Sequence, residues 1–166
     1  MQTQEEVITR FYSAFQKLDY HTMNDCYSDN IVFNDPVFGL LRGEEAKCMW
    51  EMLCTNARDF SLSFSNIQSI DEEYATCNWV ARYTFSKTGN KVVNKIKAFM
   101  KLKDGKIIEH SDAFQLSTWI GQALGWKGVL FGWMGWMKRK VQKSARKNLV
   151  NFIEKKISKG ELTIGN

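Results

Sequence analysis

At 166 residues, with 44% hydrophobic and 25% charged residues and a single proline, the chain has the composition of one globular domain with its own core, which excludes a largely disordered protein. Its four cysteines, Cys26, Cys48, Cys54 and Cys77, follow no C-x-x-C spacing, so neither a zinc site nor a disulfide framework is expected. The net charge of +5 is lopsided: residues 118–166 hold ten Lys or Arg against two Asp or Glu (+8), which leaves −3 for residues 1–117.

The opening "MQTQEEVITRFYSAFQ" starts with acidic residues and lacks the basic and apolar regions of a signal peptide, so a cytoplasmic protein with free thiols is expected. Within it Val7, Ile8, Phe11, Tyr12, Phe15 and Leu18 recur at three- and four-residue steps and predict a first helix. A short helix over His21–Tyr27 follows, then a brief strand in "NIVFNDPVFG" closed by a proline turn, with Asp35 at the strand end. "RGEEAKCMWEMLCTNA" predicts a third helix, its acidic first turn complementing the helix dipole.

From residue 58 the period changes to two. Four strands separated by Thr88-Gly89-Asn90 and Asp104-Gly105 turn signals predict an antiparallel meander. Trp79, Ala81, Tyr83 and Phe85 share one face of the second strand, and Ile96, Ala98, Met100 and Leu102 oppose four lysines on the third. His110 and Asp112, two apart on the last strand, point to one side, where a carboxylate can orient an imidazole for proton transfer. The reading the residues favour is structural: His110 and Asp112 satisfy one another, and Asp35 caps the turn before Pro36. With only two histidines no metal cluster is expected, and no phosphate loop, nucleophile elbow or dinucleotide fingerprint occurs.

Helical spacing returns after Leu116. Met137, Val141, Ala145, Leu149, Ile153 and Ile157 predict a long amphipathic helix with Lys and Arg outside. Ahead of it, "LGWKGVLFGWMGWMKRK" invites three readings. Lys127, Gln122 and the repeated glycines argue against a membrane span. A membrane-surface anchor is the second. The reading preferred here is packing on the protein's own fold or on a dimer partner, since Trp119, Trp126 and Trp133 recur every seven residues. The basic face carries no motif for reading bases, so no nucleic-acid partner is expected.

The stretches "RFYSAFQKLDYHTMNDCYSDNIVFNDPVFGLLRGEEA" and "KDGKIIEHSDAF" resemble the nuclear transport factor 2-like, or SnoaL-like, superfamily, which includes ketosteroid isomerase and polyketide cyclases. The resemblance implies an α+β fold: a cone-shaped, curved antiparallel sheet wrapped around N-terminal helices over residues 1–117, followed here by a helical extension over 118–166. It implies an apolar pocket lined by Phe11, Phe15, Trp50, Trp79, Ala81, Tyr83, Phe85 and Phe114, with Asp35, His110 and Asp112 as candidate catalytic residues and no cofactor. A small hydrophobic ligand and a homodimer are the partners it suggests.

Ketosteroid isomerase pairs an aspartate base with a tyrosine and a protonated aspartic acid. Asp35 matches the base, but Phe11 takes the tyrosine position and Lys97 or, by alternation, Ala98 takes that of the acid. That oxyanion hole is therefore not expected. Arg82, a candidate for the Asp-Arg-Asp set of the limonene-epoxide hydrolase branch, falls on the outer face. The expected function is a small-molecule pocket protein, either a cofactor-independent lyase, isomerase or cyclase, or a non-catalytic binding or interaction module.

Overall fold

The computed structural model describes residues 2–162; Met1 and residues 163–166, at the outer ends of the two expected segments, lie outside the described residues. Thr3 starts the first helix, α1 (Gln4–Gln16), with a reciprocal capping box: its hydroxyl accepts from the Glu6 N–H at 3.2 Å and its own N–H donates to the Glu6 carboxylate at 2.8 Å. Val7, Ile8, Phe11, Tyr12 and Phe15 are all buried, a wider apolar face than one stripe, because the helix lies inside the curve of a sheet. Helix α2 (Tyr20–Cys26) stops one residue before the expected end, since Tyr27 already adopts extended backbone and opens β1 (Tyr27–Asp35).

Strand β2 (Gly39–Arg42) pairs back onto β1 across the Pro36 turn; the sequence reading contained no such strand. Helix α3 (Glu44–Asn56) follows, then β3 (Ser61–Ser69), β4 (Tyr74–Thr84), β5 (Lys91–Lys103) and β6 (Lys106–Ala113). The sheet order is β2-β1-β6-β5-β4-β3. The four-strand meander is antiparallel as expected, whereas β1 joins β6 in parallel, which alternation within a strand cannot reveal. Register shifts in the β3–β4 and β1–β6 pairs bend the sheet into a cone around α1. The β5–β6 hairpin turns on two residues with positive φ, Asp104 (52°) and Gly105 (73°), the twist-matched type I′ geometry.

The inner face follows the two-residue period: Ile96, Ala98, Met100 and Leu102 are buried, and Lys95, Lys97 and Lys103 are exposed. The four thiols are free and buried, and burial pushes Cys48 and Cys77 up to about 11 and Cys54 to about 12, which leaves them inert at neutral pH.

Three helices complete the chain: α4 (Leu116–Leu124), α5 (Trp126–Phe131) and α6 (Gly135–Ser158). Helix α5 crosses α4 at Gly128, where a Cβ would lie 2.2 Å from the Ile120 carbonyl oxygen, a distance only glycine tolerates. Helix α6 lays Met137, Val141, Ala145, Leu149, Phe152 and Ile153 against the core. It is fastened by Gln142 to the Pro36 carbonyl (3.0 Å), by Arg146 to the Leu40 carbonyl (3.1 Å), and by an ion pair between Lys156 and Glu51 of α3. The seven-residue tryptophan pattern does not survive: Trp119 is half-buried, but Trp126 and Trp133 are 67% and 69% exposed. The helix they would share is broken at Gly125 and again after Phe131, so their sides no longer coincide.

Candidate functional site

The parallel β1–β6 pairing assembles the site. Phe33 is in register with His110 and Asn34 with Ser111, so Asp35 and Asp112 sit at adjacent strand positions. Both follow the inward parity of Phe33 and His110, which are buried. Across β5, Asp112 is in register with Ala98, so the inward place that Ala98 leaves without a carboxyl is faced by one from the neighbouring strand.

A buried polar chain runs through the interior. Trp50 Nε1 lies 2.8 Å from the Tyr27 hydroxyl, which lies 2.6 Å from His110 Nδ1; His110 Nε2 lies 3.0 Å from Asp112 Oδ1, and Trp79 Nε1 lies 3.1 Å from that same oxygen. An indole N–H can only donate, so Trp50 occupies Tyr27's oxygen as an acceptor and Tyr27's proton is directed to Nδ1. A neutral His110 then carries its proton on Nε2 and gives it to Asp112. Every donor in the chain points toward Asp112. Phe11, Phe33 and Trp50 enclose the imidazole, the two phenyl rings edge-on and Trp50 stacked at 6.1 Å between centroids. Burial pushes the Tyr27 hydroxyl well above its ordinary range, so it remains protonated and keeps its donor role.

Asp35 is held differently. Its Oδ1 accepts the Val37 N–H at 2.9 Å and the Phe38 N–H, the turn-capping arrangement expected before Pro36. Burial nevertheless pushes it up to about 7; the backbone N–H groups oppose this, and the negative charge of Asp112 adds to it. A buried carboxyl pushed toward neutrality, next to a second carboxyl held by fixed donors, makes this end of the sheet the candidate site. Tyr83, also raised by burial and by the Asp35 charge, accepts the Trp119 indole N–H at 2.7 Å. Its own hydroxyl proton has no acceptor among the described residues.

The expected pocket residues separate into two zones. Phe11, Phe15, Trp50, Trp79 and Ala81 are buried around α1; Phe15 touches Trp50 (5.1 Å), Phe60 (5.0 Å) and Trp79 (5.6 Å). Tyr83, Phe85 and Phe114 are half-buried toward α4, with Phe85 edge-on to Trp119 at 5.4 Å. Arg82 is exposed, as alternation predicts. Two surface hollows of about 100 and 410 Å³ lie elsewhere, the larger between α4 and α5 along Gly121, Gln122, Val129 and Trp133. Neither is lined by Asp35, His110 or Asp112. Among the described residues no group of three or more His, Cys, Asp or Glu is placed to hold a metal ion.

Three participants escaped the sequence reading. Tyr27 looked like a helix end, Trp119 like part of a heptad, and Tyr12 like one more apolar residue of the first helix. Tyr12 is fully buried, stacked on Phe64 at 5.6 Å, and its hydroxyl has no hydrogen-bond partner among the described residues. Burial and the Asp112 charge both raise it, which puts it near the carboxylate end of the chain.

No curated protein matches the sequence. Among solved structures, the fold is similar to a protein of ketosteroid isomerase-like fold from Catenulispora acidiphila (12% identity, TM-score 0.63, covering 74% of this chain and 94% of that one). It is also similar to a candidate polyketide cyclase from Pseudomonas putida (18%, 0.62, 74% and 98%) and to an epoxide hydrolase from M. tuberculosis (17%, 0.59, 75% and 90%). The SnoaL-like domain model matches residues 8–110, the stretch that runs from α1 through the donor chain to His110. By that match over more than half its length, and by a fold that agrees with it, the chain belongs to the SnoaL-like domain family.

Proposed function

We propose that the chain is a cofactor-independent acid–base catalyst for a small hydrophobic molecule held inside the cone, with Asp35 as the group that moves the proton. The observation that carries this is the Asp35 carboxyl itself, pushed up to about 7 beside Asp112 and Tyr83. A group with that affinity can accept a proton and return it at neutral pH. In this reading Asp35 takes a proton from carbon next to a carbonyl, and Tyr83 donates its free hydroxyl hydrogen to the developing oxyanion. The Tyr27–His110–Asp112 chain holds the second carboxyl fixed. The reaction class is proton transfer leading to isomerisation, cyclisation or dehydration, and the polyketide cyclase among the similar structures makes polyketides the first substrates to try.

The interior rings touch one another and Trp119 covers the Tyr83 side, which favours a second reading, a non-catalytic binding or interaction module. Native mass spectrometry of the purified protein distinguishes a retained ligand from an empty interior and reports whether the chain is a homodimer. Incubation in D2O with polyketide-type ketones that carry a hydrogen on the carbon beside the carbonyl then tests the chemistry: deuterium uptake there above the uncatalysed rate, abolished in Asp35→Asn, supports catalysis. Ligand retention with no uptake assigns the interior to binding alone.

A further inference from the structure

We infer that the α5 knuckle and the start of α6 form a docking face for an anionic lipid surface, on which the protein lies without crossing. Trp126, Val129, Leu130, Phe131, Trp133 and Trp136 are all exposed, between 38% and 70%. All six fall within residues 126–136, and contacts tie most of them together: Trp133 bonds the Leu130 carbonyl, Val129 and Trp133 border the same hollow, and Phe131 and Trp136 are in ring contact at 6.0 Å. So much clustered apolar surface marks an interaction site rather than ordinary exposure.

Three features select a lipid over a protein. The indole N–H groups of Trp133 and Trp136 are already satisfied, by the Leu130 carbonyl at 2.9 Å and the Met134 sulfur at 3.3 Å. These two rings need no fixed acceptor from a partner, and a headgroup layer supplies none. The rim is basic: Lys127 lies over the Trp126 ring at 5.6 Å, and Arg139, Lys140 and Lys143 are exposed. None of these four forms an ion pair among the described residues. Tryptophan and aliphatic side chains ringed by free cations suit an anionic bilayer surface, where each basic group adds attraction. Against a second copy of the chain, a two-fold interface would bring these rims together with like charge. No described helix is long and apolar enough to cross, so contact is confined to the surface.

Co-sedimentation of the full chain with phosphatidylcholine vesicles, with and without phosphatidylserine, tests this. Binding to the phosphatidylserine vesicles that weakens with salt is expected, together with quenching of tryptophan fluorescence by brominated lipid. Trp126→Ser, Trp133→Ser and Trp136→Ser combined should lower the partition by ~10-fold or more, as should Arg139→Glu with Lys140→Glu. Near-UV circular dichroism verifies that the variants fold, and the quenching of the unmodified protein stands without any variant. Absence of binding at low salt overturns the inference. So does a wild-type dimer that the tryptophan variant dissociates while vesicles bind neither protein.

Discussion

Asp35→Asn isolates the carboxyl on which the proposed chemistry depends. The folded-state value of about 7 lies above the ordinary 3.8, so the folded protein retains a proton there that the unfolded chain has released. Stability from this group is therefore fully present below about pH 4, declines as pH rises, and is lost above about pH 7. At 1.36 kcal/mol per pH unit the whole window corresponds to about 4 kcal/mol. Asparagine keeps the oxygen that accepts the Val37 and Phe38 N–H groups and cannot ionise. The variant should match the wild type near pH 4 and exceed it progressively toward about pH 8, by up to ~4 kcal/mol. Urea unfolding of both proteins across that range measures the difference, in which the titrating groups that do not interact with Asp35 cancel. A gap that stays constant with pH, or a carbon-13 titration placing Asp35 below about 5, would refute the reasoning about burial and the Asp112 charge.

Tyr27→Phe leaves the Trp50 N–H and His110 Nδ1 unpartnered, so a loss of about 2–4 kcal/mol in unfolding free energy is expected, with nitrogen-15 imidazole shifts reporting loss of the single tautomer. Trp119→Phe removes the bond to Tyr83 while keeping a ring against Phe85; it should cost about 1 kcal/mol and speed amide exchange in α4. Gly128→Ala places a methyl against the Ile120 carbonyl and should lower stability by about 1–3 kcal/mol, read from the thermal midpoint.

What the sequence disclosed was whatever a short period encodes. The inward set Ile96, Ala98, Met100 and Leu102 and the shared parity of His110 and Asp112 followed from alternation, and the structure buries them as that parity requires. The four-residue β2 is too short to show a period, and the parallel docking of β1 on β6 joins segments more than seventy residues apart. Tyr27 therefore gave no hint that it would meet His110. The seven-residue spacing of Trp119, Trp126 and Trp133 misled because a period predicts a common face only while one helix continues, and Gly125, with φ 65°, ends it. Asp35 was legible as a turn cap, which the Val37 and Phe38 N–H groups bear out, and separately as a candidate base, the role proposed for it beside Asp112.

The fastening of α6 also sets an order of events in making the protein. Its bonds from Gln142 to Pro36 and from Arg146 to Leu40 each span 106 residues, and the Lys156–Glu51 pair spans 105. All six strands are synthesised before residue 114, so the cone can pair and enclose α1 while the covering helices are still unmade. Closure is the step of longest sequence separation and comes late. The Pro36 turn that Asp35 caps is thus tied down from outside only once the last helix has been made, after every residue of the candidate site is already in place.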